Sequence, residues 1–351
     1  MKFNFNAILL LLISSVSYSQ NVAIPDVNFK AYLVGNERIN TNGDEDIQVS
    51  EAEVFKGRID CSKLGIKDLT GIETFTSLAK LKCENNELKT LDLSKNVFLS
   101  SLWCASNKLS SINISGLKSL HTLFLDGNEF SEFIVPKSLN ISSFDIGFNK
   151  LTKLDVSEAT SLTSLQCTRN KLTTINVENN VLLTSLNIAQ NDIEVLDISN
   201  NENLVFLRVI KNNIKVLNTS SNLLLKTLLC RNNQISSLDV SENLVLKTID
   251  CAKNLISELD FSNNKKLQTC KVGYNKLTKL DLSENLLLKF FTCAHNQLMY
   301  INVANGNNEI LKMFIANKNP IPICIEVDDV KWSYANWSGI DEGSKFVLKC
   351  D

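Results

Sequence analysis

From Leu81 onward the chain alternates apolar and polar residues over very short stretches and then repeats the whole arrangement. Leu81-Lys82-Cys83-Glu84-Asn85-Asn86-Glu87-Leu88 returns as Leu102-Trp103-Cys104-Ala105-Ser106-Asn107-Lys108-Leu109. Period-two alternation places Leu81 and Cys83 on one face of a strand and Lys82 and Glu84 on the other. The spacing is 21 residues: Asn86 returns as Asn107, Asn128 and so on to Asn296, and once more as Asn319 after a two-residue insertion around Asn305 to Asn308. A second half-pattern is nested in the same period, as in Leu238-Asp239-Val240-Ser241-Glu242-Asn243 and Leu280-Asp281-Leu282-Ser283-Glu284-Asn285. Both sides of each coil are therefore expected to be extended, with few or no helices between them. Residues 59–319 are predicted to stack about thirteen coils. At ~4.8 Å per strand spacing the stack is on the order of 60 Å long.

An asparagine at the bend after each strand can bond backbone groups of its own turn and of the neighbouring one, satisfying polar groups the bend would otherwise bury unpaired. Stacked, these residues form a ladder, and Asn96, Asn180, Asn201, Asn222, Asn243, Asn264 and Asn285 form a second. Each coil buries its apolar face only against its neighbours, so the open ends need caps. This period, with the pattern L-x-L-x-x-N-x-L, is similar to leucine-rich repeats. The nested 21-residue form resembles secreted bacterial leucine-rich-repeat proteins and, more loosely, the internalins, which bind host proteins through the concave face. The resemblance implies a mainly β, right-handed leucine-rich-repeat solenoid with a small α-helical N-terminal cap and a C-terminal cap. It implies a binding module and leaves the ligand open, because ladder residues are structural and ligand-reading positions vary.

The two ends read differently from the repeats. Residues 1–19 combine Lys2, the apolar run Ala7 to Ile13 and a stretch of small residues, the marks of a signal peptide cleaved before Gln20 or Asn21. Export is expected, to the medium, the cell surface or the periplasm, with no membrane insertion. Within residues 20–58, Phe29 to Leu33 reads as a short amphipathic helix, and Asn40 to Glu51 is similar to a degenerate EF-hand loop. In that alignment Asn40, Asn42, Asp44 and Glu51 fall at ligand positions, but the first ligand is a neutral Asn and Glu45 replaces the turn glycine. Structural capping is the preferred reading, and weak calcium binding is the alternative. Residues 320–351 are read as a cap closed by a Cys324–Cys350 disulfide, with Trp332, Tyr334 and Trp337 covering the last coil. A ligand-binding role for Trp332 and Trp337 is the rival reading.

Composition narrows the function by exclusion. A net charge of -2, with both signs interspersed, gives no phosphate-tracking surface, so no nucleic-acid partner is expected. Of the ten cysteines, Cys61, Cys83, Cys104, Cys167, Cys230, Cys251 and Cys293 share one inward position with Leu125, Ile146, Ile188, Val209 and Val272. Exchange with aliphatics marks them as buried small hydrophobes, and a metal site would need clustered ligands. Free thiols are expected, with disulfides between the adjacent pairs Cys61–Cys83, Cys83–Cys104 and Cys230–Cys251 as the alternative in an exported chain. His121 and His295, the two histidines, lie far apart along the stack, and no G-x-S-x-G, P-loop or H-E-x-x-H motif is present. The nearest approach to catalytic chemistry is the outward row Asp92, Asp155, Asp197, Asp239, Asp260 and Asp281, read as solvated or bonded to neighbouring hydroxyls. No enzymatic activity and no cofactor are expected.

The outward positions of the first strand are not dictated by the fold. Trp103, Phe124 and Phe148 are expected to give an aromatic zone on early coils. Arg169, Arg208, Lys211, Arg231 and Lys253 give a basic zone on middle coils, ending near Tyr274 and His295. Exposed aromatic and arginine residues are what binding hot spots use. The sequence thus predicts a monomeric module for protein interaction or adhesion, with a carbohydrate-binding surface as the alternative and a hydrolase as a remote third.

Overall fold

A computed structural model describes residues 20–137, 139–319 and 322–350; the predicted signal peptide lies outside them. Thirteen three-residue strands, from Arg58–Asp60 to Met313–Ile315, stack in parallel into one long sheet. Neighbours pair one period apart, as in Leu165 with Leu186 and Leu186 with Leu207. Parallel strands need a long crossover, and the remainder of each coil supplies it. The central residue of every strand is buried, among them Leu81, Leu102, Phe144 and Phe291. These side chains, with the second inward set, make one continuous core along the axis. The extra residues near Asn305 are absorbed by a 3-10 turn, Asn308–Ile310, before Phe291 pairs with Phe314.

The far half of each coil is extended, but its strands pair in patches rather than continuously. Thr90–Asp92 pairs with Ser111–Asn113, and Glu132–Ile134 with Lys153–Asp155. A four-stranded sheet closes the C-terminal end with Lys279–Asp281, Tyr300–Asn302, Cys324–Glu326 and Lys345–Val347. Between these patches, the half-coils around Val177, Ile198, Thr219 and Val240 carry no paired strand. The expectation of extended sides without helices holds, with only 3-10 turns at Ile72–Thr74 and Asn308–Ile310.

Both asparagine ladders form. In the first, Asn191 donates to the carbonyls of Cys167 and Ile188 at 3.0 and 3.1 Å and accepts from the Leu172 N–H at 3.0 Å. The same three bonds recur from Asn86 to Asn296. In the second, Asn201 donates to the carbonyls of Val177 and Asn180 at 3.0 and 2.9 Å.

At the N-terminal end, helix α1 (Val27–Val34) is capped by Asp26, whose other carboxylate oxygen accepts from the Lys67 N–H at 2.7 Å and ties the helix to the first coils. Helix α2 (Val49–Val54) starts with a Gln48/Glu51 capping box. At the other end, helix α3 (Val330–Asn336) lays aromatic rings over the last coil. Trp337 stacks on Phe314 at 4.7 Å and donates from its indole N–H to the Leu311 carbonyl. Trp332 packs edge-on against Trp337. The Cys324–Cys350 disulfide is present. Cys324 begins a strand of the far-side sheet, so the predicted C-terminal cap carries on the stack, because the apolar alternation of Ile323, Ile325 and Val327 continues that sheet.

Candidate interaction face

The first and third residues of each long-sheet strand point away from the core. The register sets the third residues in one row: Lys82, Trp103, Phe124, Asp145, Gln166, Asn187, Arg208 and Leu229. Trp103, Phe124 and Arg208 therefore lie where the sequence placed them, each half-buried on the outward face. Arg231 follows the strand Thr227–Leu229 by two residues and is exposed.

The other six predicted residues lie elsewhere. Phe148, Arg169, Lys211, Lys253, Tyr274 and His295 all have φ between 53° and 59° and sit in the turn before a ladder asparagine, beyond the strand end. The chain must reverse there to bring the asparagine inward, so strand alternation no longer decides where a side chain points. Gly127, Asn85 and Asn232 hold the equivalent site in other coils, as expected for a left-handed residue. A bulky side chain there costs strain, on the order of 1 kcal/mol. Contacts along the axis offset it. The Arg169 guanidinium lies 4.9 Å over the Phe148 ring and its Nε donates to Gln190 Oε1 at 3.0 Å. Lys253 Nζ is 5.2 Å from the Tyr274 centroid, and Tyr274 stacks on His295 at 4.0 Å. The six residues thus form part of a ridge bordering the sheet face, with Phe148 50% and Tyr274 47% exposed.

Two acidic residues that sequence reasoning did not single out share the face with the aromatic pair. Asp145 adjoins Phe124 in the row, and Asp126 follows Phe124 by two residues. Burial pushes the Asp145 carboxyl up to about 6, against the Gly147 N–H that donates to it at 2.9 Å and with a further push from Asp126. Burial and, less strongly, Glu84 raise Asp126 as well. Arg208 Nε is buried without a hydrogen-bond partner. None of these three side chains is in an ion pair among the described residues. Asp145 occupies the same periodic position as Trp103 and Arg208, and that was the signal available to find it.

The remaining candidates are engaged in structural work. Glu51, at the supposed bidentate calcium position, accepts from the Thr41 and Asn42 N–H groups, the Thr41 hydroxyl and the Gln48 N–H. Burial pushes its carboxyl up, but these bonds together outweigh it and hold the group below its ordinary value. Asn40 donates to the Val34 and Asp44 carbonyls and accepts from Gly43 N–H; Asn42 donates to Asp44 and Gln48. Eight cysteines are free and buried, including Cys270, which occupies a strand centre instead of the shared position of the other seven. Burial raises the thiols of Cys83, Cys167, Cys230 and Cys251 well above their ordinary value. Asp92, Asp155, Asp197, Asp239, Asp260 and Asp281 each accept from the N–H of a serine two residues on. A groove of about 580 Å³ on the far side is lined by Asp239, Asp260, Asp281, Lys279 and Tyr300, among others. No group of three metal-ligating side chains and no helix long and apolar enough to cross a membrane occurs among the described residues.

Sequence reasoning also missed a row of exposed apolar pairs at the second bend. Leu223 and Leu224 are 55% and 49% exposed, and Val181, Leu182, Leu286 and Leu287 lie in the same register. The visible signal was the triplet Leu223-Leu224-Leu225, of which only the last is buried.

Residues 46–158 match a family model described as the Endo-beta-N-acetylglucosaminidase EndoS LRR domain. The fold is similar to the functional domain of InlJ from Listeria monocytogenes, described as including a cysteine ladder. That match has 28% identity and a TM-score of 0.76, over 88% of this chain and 72% of that one. An internalin, inlF, from the same organism matches at 20% identity and TM-score 0.76, over 95% and 100% of the two chains. The Arabidopsis receptor kinase HAESA, in complex with the peptide hormone IDA and the co-receptor SERK1, matches at 18% identity and TM-score 0.64, over 82% and 58%. The last two show the fold alone. A comparison with curated proteins gave no match. In repeat and fold the chain resembles the internalins, and its structure is a leucine-rich-repeat solenoid.

Proposed function

We propose that the chain is an exported, non-enzymatic binding module that engages a protein through the outward face of the long sheet and its bordering ridge, with residues 20–58 and 320–351 closing the stack. The observation that carries this reading is the row holding Trp103, Phe124 and Arg208. These are residue types rich in binding energy, held in one row of a rigid sheet with Trp103 and Phe124 adjacent and Arg208 four strands beyond Phe124, half-buried and with no core to fill. Export rests on the character of residues 1–19. The glycan alternative keeps Trp103 and Phe124 as ring platforms, whereas Tyr274 already stacks on His295 with Lys253 near its ring and Arg169 lies over Phe148.

The test is affinity capture with the mature protein, followed by titration of the captured protein against wild type and the Trp103→Ala/Arg208→Ala double variant. The expected result is at least a tenfold loss of affinity, about 1.4 kcal/mol or more, with the thermal unfolding midpoint nearly unchanged. Unaltered affinity would move the site off this face, and selective retention on a glycan array without any captured protein would replace the reading by its alternative.

A further inference from the structure

We infer that the partner surface is bipolar: it brings a lysine or arginine to Trp103 and Phe124 beside Asp126 and Asp145, and a carboxylate to Arg208 three strands further along the axis. This inference rests on the protein-binding reading above and specifies the chemistry of the partner.

The argument begins with what the face leaves unpaired. Asp126, Asp145 and Arg208 carry no ion pair, and Arg208 Nε also lacks any hydrogen bond. All three are half-buried already. A partner lying over them strips the remaining water, and that desolvation is unfavourable unless the partner supplies the opposite charge. An apolar partner is therefore disfavoured on this face despite the aromatic rings. A cation is favoured twice at the early coils, by the carboxylates and by the two adjacent aromatic side chains, Trp103 and Phe124.

The spacing follows from the register. Asp145 is followed in the row by Gln166, Asn187 and then Arg208. Three strand spacings of ~4.8 Å separate the two charges by about 14 Å. An extended chain rises ~3.3 Å per residue, so a segment running along the axis covers that distance in about four residues. The neutral amides of Gln166 and Asn187 lie between, at the height where such a segment's backbone would pass. Arg231 and Lys211, near Arg208, reinforce the preference for an acid at that end.

Four synthetic peptides of equal length serve as probes: one with Arg and Asp four residues apart, one with Arg only, one with Asp only and one with neither. Binding is measured at low salt to wild type, Asp145→Asn and Arg208→Gln. The bipolar peptide is expected to bind about fivefold tighter than either single-charge peptide. Asp145→Asn should remove the advantage due to Arg alone, and Arg208→Gln the advantage due to Asp alone. Equal binding of all four peptides, no binding of any at millimolar concentration, or variants that act alike on every peptide would overturn the inference. The captured protein separates the two levels. If Trp103→Ala/Arg208→Ala abolishes its binding while Asp145→Asn leaves it intact, the face stands and the bipolar partner falls; if neither changes it, both fall.

Discussion

The two asparagine ladders run through the same coils and differ in what their carbonyl oxygens do. In the first, the side chain closes a circuit. Asn191 Oδ1 takes the Leu172 N–H, a buried donor with no other acceptor, while its NH2 bonds two carbonyls. In the second, Asn201 donates to the Val177 and Asn180 carbonyls, each of which already accepts a backbone N–H, and its own Oδ1 is buried without a partner. Asn96, Asn180, Asn222, Asn264 and Asn285 share that bare carbonyl. Asn243 is different, because Thr219 replaces the usual Val or Ile and its hydroxyl donates to Asn243 Oδ1 at 2.8 Å. Both ladders look alike as letters, yet the one beside the long sheet is required by the backbone and the other adds second bonds to groups already satisfied.

That contrast can be broken most directly at Asn191→Ala, which orphans the Leu172 N–H; the expected loss is about 2–4 kcal/mol in denaturant unfolding. Asn201→Ala removes two bonds but also one unsatisfied oxygen, so a smaller loss of about 1–2 kcal/mol is expected, and equal losses at the two sites would erase the distinction. Thr219→Val leaves Asn243 like its neighbours and should cost about 1 kcal/mol. Asp145→Asn acts on the outward face and has the opposite sign. The folded-state pKa of about 6 lies above the ordinary 3.8, so the ionised group is destabilising above about pH 6 and neutral in effect below pH 3.8. The variant should therefore gain modestly at pH 7, with the gain fading as pH falls through that window; a gain that persists at low pH would contradict burial as the cause. Val177→Thr should be nearly neutral, because its new hydroxyl finds Asn201 Oδ1 as Thr219 finds Asn243. An ordinary buried Val→Thr loss of about 1–2 kcal/mol would show that the bare carbonyls are not available acceptors.

The 21-residue spacing made the coil, its inward positions and both ladders legible, since each depends on short-range alternation repeated in register. The terminal disulfide was legible too, from the two cysteines that lie beyond the last predicted coil, Cys324 and Cys350. Phe148, Arg169 and Tyr274 were misplaced because strand alternation was carried one turn too far, past the point where the chain reverses into a left-handed residue. The patchy far-side pairing was hidden, because Leu238 and Leu280 carry the same letters whether or not a neighbouring strand bonds alongside. Asp126 and Asp145 were overlooked because their burial comes from neighbouring coils, which one coil's letters do not show.

The central claim is that inward residues hold the stack while outward ones are free for binding, and unfolding of Arg208→Ala beside Asn191→Ala tests it without a partner. Removing a side chain whose buried Nε has no hydrogen bond should leave the unfolding free energy unchanged or slightly raised, while Asn191→Ala loses about 2–4 kcal/mol. A loss at Arg208 as large as that at Asn191 would show that the outward row is part of the scaffold and contradict the account.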